Sequence, residues 1–376
     1  MRKPQVFIAT DNLNMGGSQK SLLAFLHYIE RFCDVDVLVW QKKEREILTL
    51  PDTVKRIYIP GGVSVRASVK RYGINSREFV YSVLGAFYKK RWLARPRIKK
   101  DYDIAIAFTD LTDLKYYVID KVNARNKYAF YHNGIYRGSD KVKILDTEYY
   151  EKYDRVFVVS EYVKRLLSES LPNLKNVTVL PNRIDLDEIR KKSNSPCSEF
   201  PHDDQVNLLT AIRLYPEKNP AQLVEIAKIL RDKEINFRWI LVGDGPQFLE
   251  IKNRIAEEHL ENNFILTGNE YNPYRLMQHC DLYVQLSLYE ADSLTVREVA
   301  CFNKHMILSD IPRFRDCQKE FKNIHICKNS EEAVEAIISF YKAPQEINDM
   351  EMINRKAEEL IYKEIFAGFV SRSELG

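Results

Sequence analysis

Short apolar runs alternate along the chain with longer stretches whose apolar residues recur every three or four positions. Val6–Thr10, Asp101–Phe108, Lys127–His132 and Arg155–Val159 are short and apolar enough for strands buried on both faces. After the first of these, the loop Asp11–Lys20 leads into Ser21–Ile29, where Leu22, Leu23, Phe25 and Leu26 form one apolar helical face. The second half repeats the alternation. Val206–Ile212, Trp239–Val242, Phe264–Gly268 and Leu282–Leu286 read as strands; an amphipathic stretch to about Arg231, Gln247–Leu260 and Tyr274–His279 read as the helices between them. A strand near Ile324–Ile326 and helices over Ser330–Tyr341 and Ile347–Val370 follow. Strand-helix-strand order, met twice, predicts two doubly wound parallel sheets. Residues 186–205, charged and carrying Ser, Pro and Asn, read as the linker between a domain over 1–190 and one over 200–345.

Composition changes this picture little. At 376 residues, 45% hydrophobic and 29% charged, the chain suits two soluble domains. No apolar run approaches a membrane span, and Met1-Arg2-Lys3 leads straight into Val6-Phe7-Ile8-Ala9, too short for a signal core and read as the first strand. The six cysteines show no metal-ligand spacing, which predicts free buried thiols in a reducing cytoplasm. A net charge of +4 gives no reason to expect a nucleic-acid partner. Its distribution is uneven, since Gly61–Lys100 holds eleven Lys or Arg against the single acid Glu78. There Phe79, Val80, Val83, Leu84, Phe87 and Tyr88 interleave with Lys89, Lys90 and Arg91 at helical spacing. Two readings stand: a solvated basic helix, or a patch for an anionic membrane surface or an acidic partner. Asp34-Val35-Asp36 and Asp101-Tyr102-Asp103 suggest metal ligands, but both precede strands at the amino-terminal edge of a sheet, away from where such sheets do chemistry.

The candidate chemistry centres on Ser287–Asp310. The strand Leu282–Leu286 breaks at Glu290-Ala291-Asp292-Ser293, with Asp292 or Ser293 the expected helix cap. A helix over Thr295–Phe302 should end at Asn303 in the left-handed conformation, ahead of a buried strand at Met306–Leu308. Such a unit presents backbone N–H groups at the carboxyl edge of a sheet, suited to a phosphate. Glu290 precedes the helix and Glu298 lies inside it. Arg213 and Lys218 flank a loop before another helix N-terminus, after the strand Val206–Ile212, and are placed to clamp a diphosphate. Gly16-Gly17 would let backbone approach a ligand at a helix start.

The pairing Glu290-x7-Glu298, preceded by Arg213…Lys218 at matching spacing, resembles the signature of the large retaining glycosyltransferase family with the GT-B fold, family four. The chain departs from the pattern at Ala291 and Asp292, after the first Glu, at Asn303 and His305, after the helix, and at Arg183, where Gly is usual. The resemblance implies two Rossmann-like domains facing each other across a cleft, with the segment 347–376 crossing back to the first. It implies that Gly16 and Gly17 face that cleft and that His132 lies close to the donor sugar. It also implies that the turn Gly243-Asp244-Gly245-Pro246 packs near the nucleotide, and that Asn269 and Glu270 lie where relatives meet the base.

The function expected is transfer of a sugar, with retention, from a nucleotide-sugar donor, a UDP-sugar, to a glycan or lipid-linked glycan in cell-surface polysaccharide synthesis. The place expected is the cytoplasm, peripheral on the inner face of the membrane. Glu298 would accept hydrogen bonds from the ribose and Glu290 would contact sugar hydroxyls. The helix start at Ser293, Leu294 and Thr295 would face the diphosphate, while Asp292 would cap the helix or bind a hydroxyl. Arg213, Lys218 and backbone donors would neutralise the leaving group, so neither a metal nor another cofactor is expected. Two rivals use the same clamp: a GT-B-fold sugar-nucleotide epimerase, and a nucleotide-sugar-binding protein without catalysis.

Overall fold

The computed structural model describes residues 2–14, 16–40, 48–57, 92, 95–110, 113–136, 138–200 and 204–371. Most of the basic stretch considered above, including Lys89, Lys90 and Arg91, lies outside these residues. The chain divides into one unit of Met1–Arg183 with Ala357–Gly376, and a second of Ile184–Lys356.

The first unit holds β1 (Gln5–Thr10), β2 (Asp34–Val39), β3 (Lys55–Ile57), β4 (Asp101–Ala107), β5 (Asn123–Tyr131), β6 (Arg155–Val158) and β7 (Val177–Val179). They form one parallel sheet in the order β3-β2-β1-β4-β5-β6-β7. In β1, Val6, Phe7, Ile8 and Ala9 are fully buried, because a parallel sheet covered on both faces needs an unbroken apolar run. The helix Gly17–Ile29 lays Leu22, Phe25, Leu26 and Ile29 on one side of it. This helix starts four residues before the expected Ser21. Gly16 is its extended N-cap, so Ser18, Gln19 and Lys20 are helical rather than loop. Ile361, Ile365, Phe366 and Val370 join the same core, with the Phe366 ring 5.3 Å from that of Phe32. Both Asp-x-Asp triplets sit at strand starts; Asp103 accepts from the Gln5 amide at 2.8 Å and Asp34 from the Gln5 side chain at 2.6 Å.

The second unit carries β8 (Val206–Ala211), β9 (Phe237–Val242), β10 (Phe264–Gly268), β11 (Leu282–Gln285), β12 (His305–Ser309) and β13 (Ile324–Cys327). They pair in parallel in the order β10-β9-β8-β11-β12-β13. Trp239 is fully buried at its centre, and its indole N–H donates to Thr210 Oγ1 at 3.0 Å, so the largest core side chain leaves no polar atom unsatisfied. Leu186–Ser193, read from sequence as linker, is instead a helix of this unit. Asp185 caps it by accepting from the Glu188 amide at 3.0 Å, and Leu186 and Ile189 are buried in the core with Val242, Met277 and Met350. Two apolar residues three apart are too few to stand out among charges, which is why composition hid it. Among the described residues no helix is long and apolar enough to cross a membrane.

At the amino-terminal edge of this sheet, His305 and His325 meet nitrogen to nitrogen at 2.9 Å, and the His325 ring stacks on Phe340 at 3.5 Å. His305 Nε2 faces the Pro344 carbonyl at 3.2 Å and donates to it, which leaves His305 Nδ1 to accept from His325. Burial first, and the neighbouring His305 second, hold His325 down at about 4, below its ordinary 6.5. A histidine depressed in the folded state stabilises the fold above its unfolded value and loses that contribution as pH falls. Stability is therefore expected to be flat above pH 6.5 and to fall between about 6.5 and 4. After allowance for solvent screening of this half-buried ring, the loss is on the order of 1–2 kcal/mol. Urea midpoints across that window should fall less steeply in His325→Asn; parallel curves for the two proteins would contradict this assignment.

Candidate functional site

In the second unit, the sequence-marked residues collect at the carboxyl ends of β8, β9, β10 and β11. After β8 the chain turns through Arg213 into a 3₁₀ turn at Pro216–Lys218, and Asn219 (φ 51°) swings it into the helix Pro220–Asp232. Arg213 is exposed and its guanidinium lies 5.4 Å from the Tyr215 ring. Lys218 is drawn inward, with Nζ 2.6 Å from Glu290 Oε1 and the two side chains only 14% and 7% exposed. The Leu288 amide donates to the Glu217 carbonyl at 2.9 Å and ties the two loops together.

Glu290 is gripped further. Ser287 Oγ donates to its Oε1 at 2.9 Å and Gln285 Nε2 donates to the same oxygen. Three donors on one oxygen fix the carboxylate, and among the described residues no hydrogen bond reaches its Oε2. Gln285 and Ser287 were not singled out from sequence, although a Gln at the end of the buried run Leu282-Tyr283-Val284 needs a polar partner. Glu298 is buried in the helix Leu294–Ala300, where the Tyr274 hydroxyl donates to its Oε1 at 2.9 Å. Burial, and then the Glu298 charge, push the Tyr274 phenol far above its ordinary range, so it stays a donor.

Asn303 ends this turn at φ 59°, left-handed as expected. At the start of the helix the expected position holds, but not the expected side-chain bond. Ser293 is its N-cap but makes no side-chain cap bond, and it too is left-handed at φ 58°, ψ 72°. Asp292 has turned to two buried arginines: its Oδ1 accepts from Arg313 Nη2 at 2.6 Å and Arg297 Nε at 3.3 Å. The expected cap was Asp292 or Ser293; Ser293 takes the position, and two buried guanidiniums hold the Asp292 carboxylate instead. A non-glycine residue in the left-handed region is strained, and a β-branched one more so. Ser293→Gly is therefore expected to be at least as stable as the native protein, and Ser293→Val to lose about 2 kcal/mol. Chemical-denaturation midpoints measure both, and a Val variant as stable as the native chain would refute the strain.

Gly243 and Gly245 serve the site through the backbone. At Gly243 (φ 142°) an added Cβ would stand 1.7 Å from the Ile212 carbonyl oxygen, and at Gly245 2.5 Å from that of Leu214. The Leu214 amide donates to Asp244 O at 3.0 Å across the same approach. Only glycine lets this turn press on the segment that carries Arg213. Asn269 lies beside it, exposed, with Nδ2 3.4 Å from Asp244 Oδ2.

The remaining candidates belong to the first unit. His132 follows β5 and lies against the rings of Phe130 and Phe108, with centroids 5.9 and 5.1 Å away. Next to it, Asp110 Oδ2 accepts from Asn133 Nδ2 at 3.0 Å. Gly16 and Gly17 open the first helix, where a Cβ on Gly16 would come 2.5 Å from Gln19 Oε1. Gln19 itself donates to Asp11 Oδ1 at 3.1 Å, and burial raises the Asp11 carboxyl above its usual range. Asp11, Asp110 and Asn133 went unmarked in the sequence, since polar residues at strand ends are common.

Two parallel-sheet units, the second with a basic pair, two glutamates and a glycine turn at its carboxyl edge, have the architecture of the GT-B fold. Residues 191–359, rather less than half of the chain, match the family described as glycosyl transferases group 1. An uncharacterised glycosyltransferase of Methanocaldococcus jannaschii is 29% identical over 190 residues, 49% of this chain and 46% of that protein. The poly(ribitol-phosphate) alpha-N-acetylglucosaminyltransferase of Staphylococcus aureus is 22% identical over 48% of this chain and 38% of its own. The chain thus spans less than half the length of these curated relatives. Among solved structures, the trehalose-6-phosphate synthase OtsA superposes with TM-score 0.69 at 13% identity, over 97% of this chain and 98% of that one. Staphylococcus aureus TarM, in a complex containing UDP, superposes with TM-score 0.63 at 14% identity, over 99% and 98%.

Proposed function

We propose that this protein is a retaining glycosyltransferase that takes a sugar from a UDP-sugar and places it on a hydroxyl of a glycan or lipid-linked glycan during cell-surface polysaccharide synthesis. The observation that carries the reading is the buried Lys218–Glu290 pair, 2.6 Å apart, with exposed Arg213 five residues upstream at the same sheet edge. An ammonium has three N–H donors. One is used on Glu290, which leaves Lys218 able to meet phosphate oxygens while still orienting the carboxylate. Glu290, anchored through Oε1, offers Oε2 to a sugar hydroxyl, and Glu298 offers its carboxylate to the ribose. As the acceptor oxygen bonds to the anomeric carbon, the bond to the diphosphate oxygen breaks. The departing phosphate takes the acceptor's proton, and Arg213 and Lys218 stabilise the charge that develops.

Asn269, the turn at Gly243 and Gly245, and the helix start at Ser293, Leu294 and Thr295 would border the nucleotide. Gly16, Gly17 and His132 would serve the sugar. Support for the donor comes from structural neighbours solved with UDP, among them HepE of Anabaena with UDP and glucose. Support for the acceptor comes from relatives named for poly(ribitol-phosphate) and for a diphospho-undecaprenol saccharide. The basic stretch within 61–100 suits presentation of that acceptor at an anionic inner membrane face, with the protein otherwise cytoplasmic.

The test is incubation with UDP-glucose or UDP-N-acetylglucosamine and lipid-linked saccharides, read by mass spectrometry. One added sugar with release of UDP, unchanged by excess EDTA and enhanced when the acceptor sits in anionic vesicles at low salt, is the expected result. Activity that EDTA abolishes and magnesium restores would contradict metal-free catalysis, and equal rates on neutral and anionic vesicles would contradict the membrane role. Interconversion of the sugar without acceptor would identify an epimerase. Binding without any turnover would identify a non-catalytic module.

A further inference from the structure

Behind Glu290 and Glu298 lies a charged cluster that the sequence did not announce. Asp292, Arg297 and Arg313 are 6%, 2% and 3% exposed. Arg313 holds Asp292 twice, donating from Nη2 to the carboxylate at 2.6 Å and from Nε to the backbone carbonyl at 3.0 Å. Arg297 donates to the same carboxylate and forms a two-pronged pair with Glu320, at 2.7 and 3.1 Å. Two acids and two arginines balance in charge. Burial works against both guanidiniums, but Asp292 and Glu320 outweigh it and raise them above their ordinary range.

We infer that Arg313, through Asp292, is a positioning residue for the donor site. This rests on the donor-site reading given above. Asp292 lies two residues after Glu290 and one before the left-handed Ser293; Arg297 directly precedes Glu298. A contact that grips both the side chain and the carbonyl of Asp292 fixes the backbone between the two glutamates. Strained φ values persist only where surroundings over-determine them, and these bonds supply that at Ser293. The helix Pro312–Glu320 provides Arg313 and Glu320, so the cluster bolts the strand-to-helix turn onto the next layer of the fold. The cluster accounts for an acid at 292: Asp292 faces inward, and its charge is taken up by Arg297 and Arg313.

Arg313→Lys is the informative variant, because it keeps the charge but has one nitrogen where the guanidinium spans two oxygens. Arg313→Met removes both contacts. Val334→Ala, in the helix Ser330–Phe340, is the control for lost stability without contact to this cluster. The ligand is whichever of UDP, GDP or ADP most raises the native melting temperature, titrated well below the melting point of every variant. The expected result is nucleotide binding weakened about tenfold and kcat lowered in Arg313→Lys, more so in Arg313→Met, with both unchanged in Val334→Ala. Should the methionine variant fail to fold, the lysine variant decides. Native-like affinity and kcat in a folded Arg313→Lys would overturn the positioning role while leaving the donor site intact. Failure of the native protein to bind any of the three nucleotides would overturn the donor-site reading and this inference with it.

Discussion

If the proposed donor site is right, Arg213→Ala should leave the fold almost untouched and cut turnover on the order of 10²-fold or more, because it would remove a charge that faces the developing diphosphate. Arg213 is exposed, with its guanidinium 5.4 Å from the Tyr215 ring, so among the described residues its loss opens no cavity and orphans no partner. Lys218→Ala should cost at least as much turnover, and stability as well. Its Nζ compensates a Glu290 carboxylate whose side chain is 7% exposed. Removing one member of a buried pair leaves the other charge in low dielectric, typically a penalty of about 3–5 kcal/mol. Here the hydrogen bonds from Gln285 and Ser287 remain, so the lower end is expected. Steady-state rates paired with melting curves separate the two variants. Arg213→Ala turning over at the native rate would remove the arginine from the mechanism. Lys218→Ala as stable as the native protein would show that Glu290 does not need its partner.

Glu298→Gln is expected to act on binding more than on chemistry. A carboxylate accepting from ribose hydroxyls forms charge-assisted bonds worth about 1.5–3 kcal/mol each, and an amide oxygen accepts more weakly. Nucleotide affinity should therefore fall about tenfold to a hundredfold, with a smaller change in kcat at saturating donor. Tyr274→Phe should weaken binding less, since it removes one donor to Glu298 Oε1 without removing the charge. Calorimetric titration of the nucleotide measures both. Unchanged affinity in Glu298→Gln would move the ribose contact elsewhere.

The sheets were legible because each parallel strand must be apolar throughout: Val6–Thr10 and Val206–Ile212 can be seen without any partner in view. Arg213, Lys218 and Glu290 were legible because they sit in the loops between a strand end and a helix start, positions that sequence pattern locates, and Glu298 by its spacing from Glu290. What escaped was pairing across the chain. Nothing in the neighbourhood of Asp292 says that Arg313, 21 residues on, will reach back to it. Likewise Lys218 and Glu290 are 72 residues apart, and their pairing depends on β8 and β11 lying side by side. Local propensity also misplaced ends. The helix at Leu186–Ser193 is held by burial of Leu186 and Ile189 against distant residues, and its own charged composition argued for a linker. The glycines at 243 and 245 were marked for the nucleotide; their close approach to Ile212 and Leu214 shows a packing demand that would exist with no ligand at all.

The central claim is that Arg213 and Lys218 clamp a diphosphate. Its most direct test is calorimetric titration of the native protein and of Arg213→Ala with a nucleoside diphosphate and its monophosphate, UDP and UMP. The account predicts that the native protein binds UDP at least tenfold more tightly than UMP, and that this gap collapses in Arg213→Ala while UMP affinity changes little. Equal affinities for UDP and UMP in the native protein, or a gap that survives in Arg213→Ala, would contradict it.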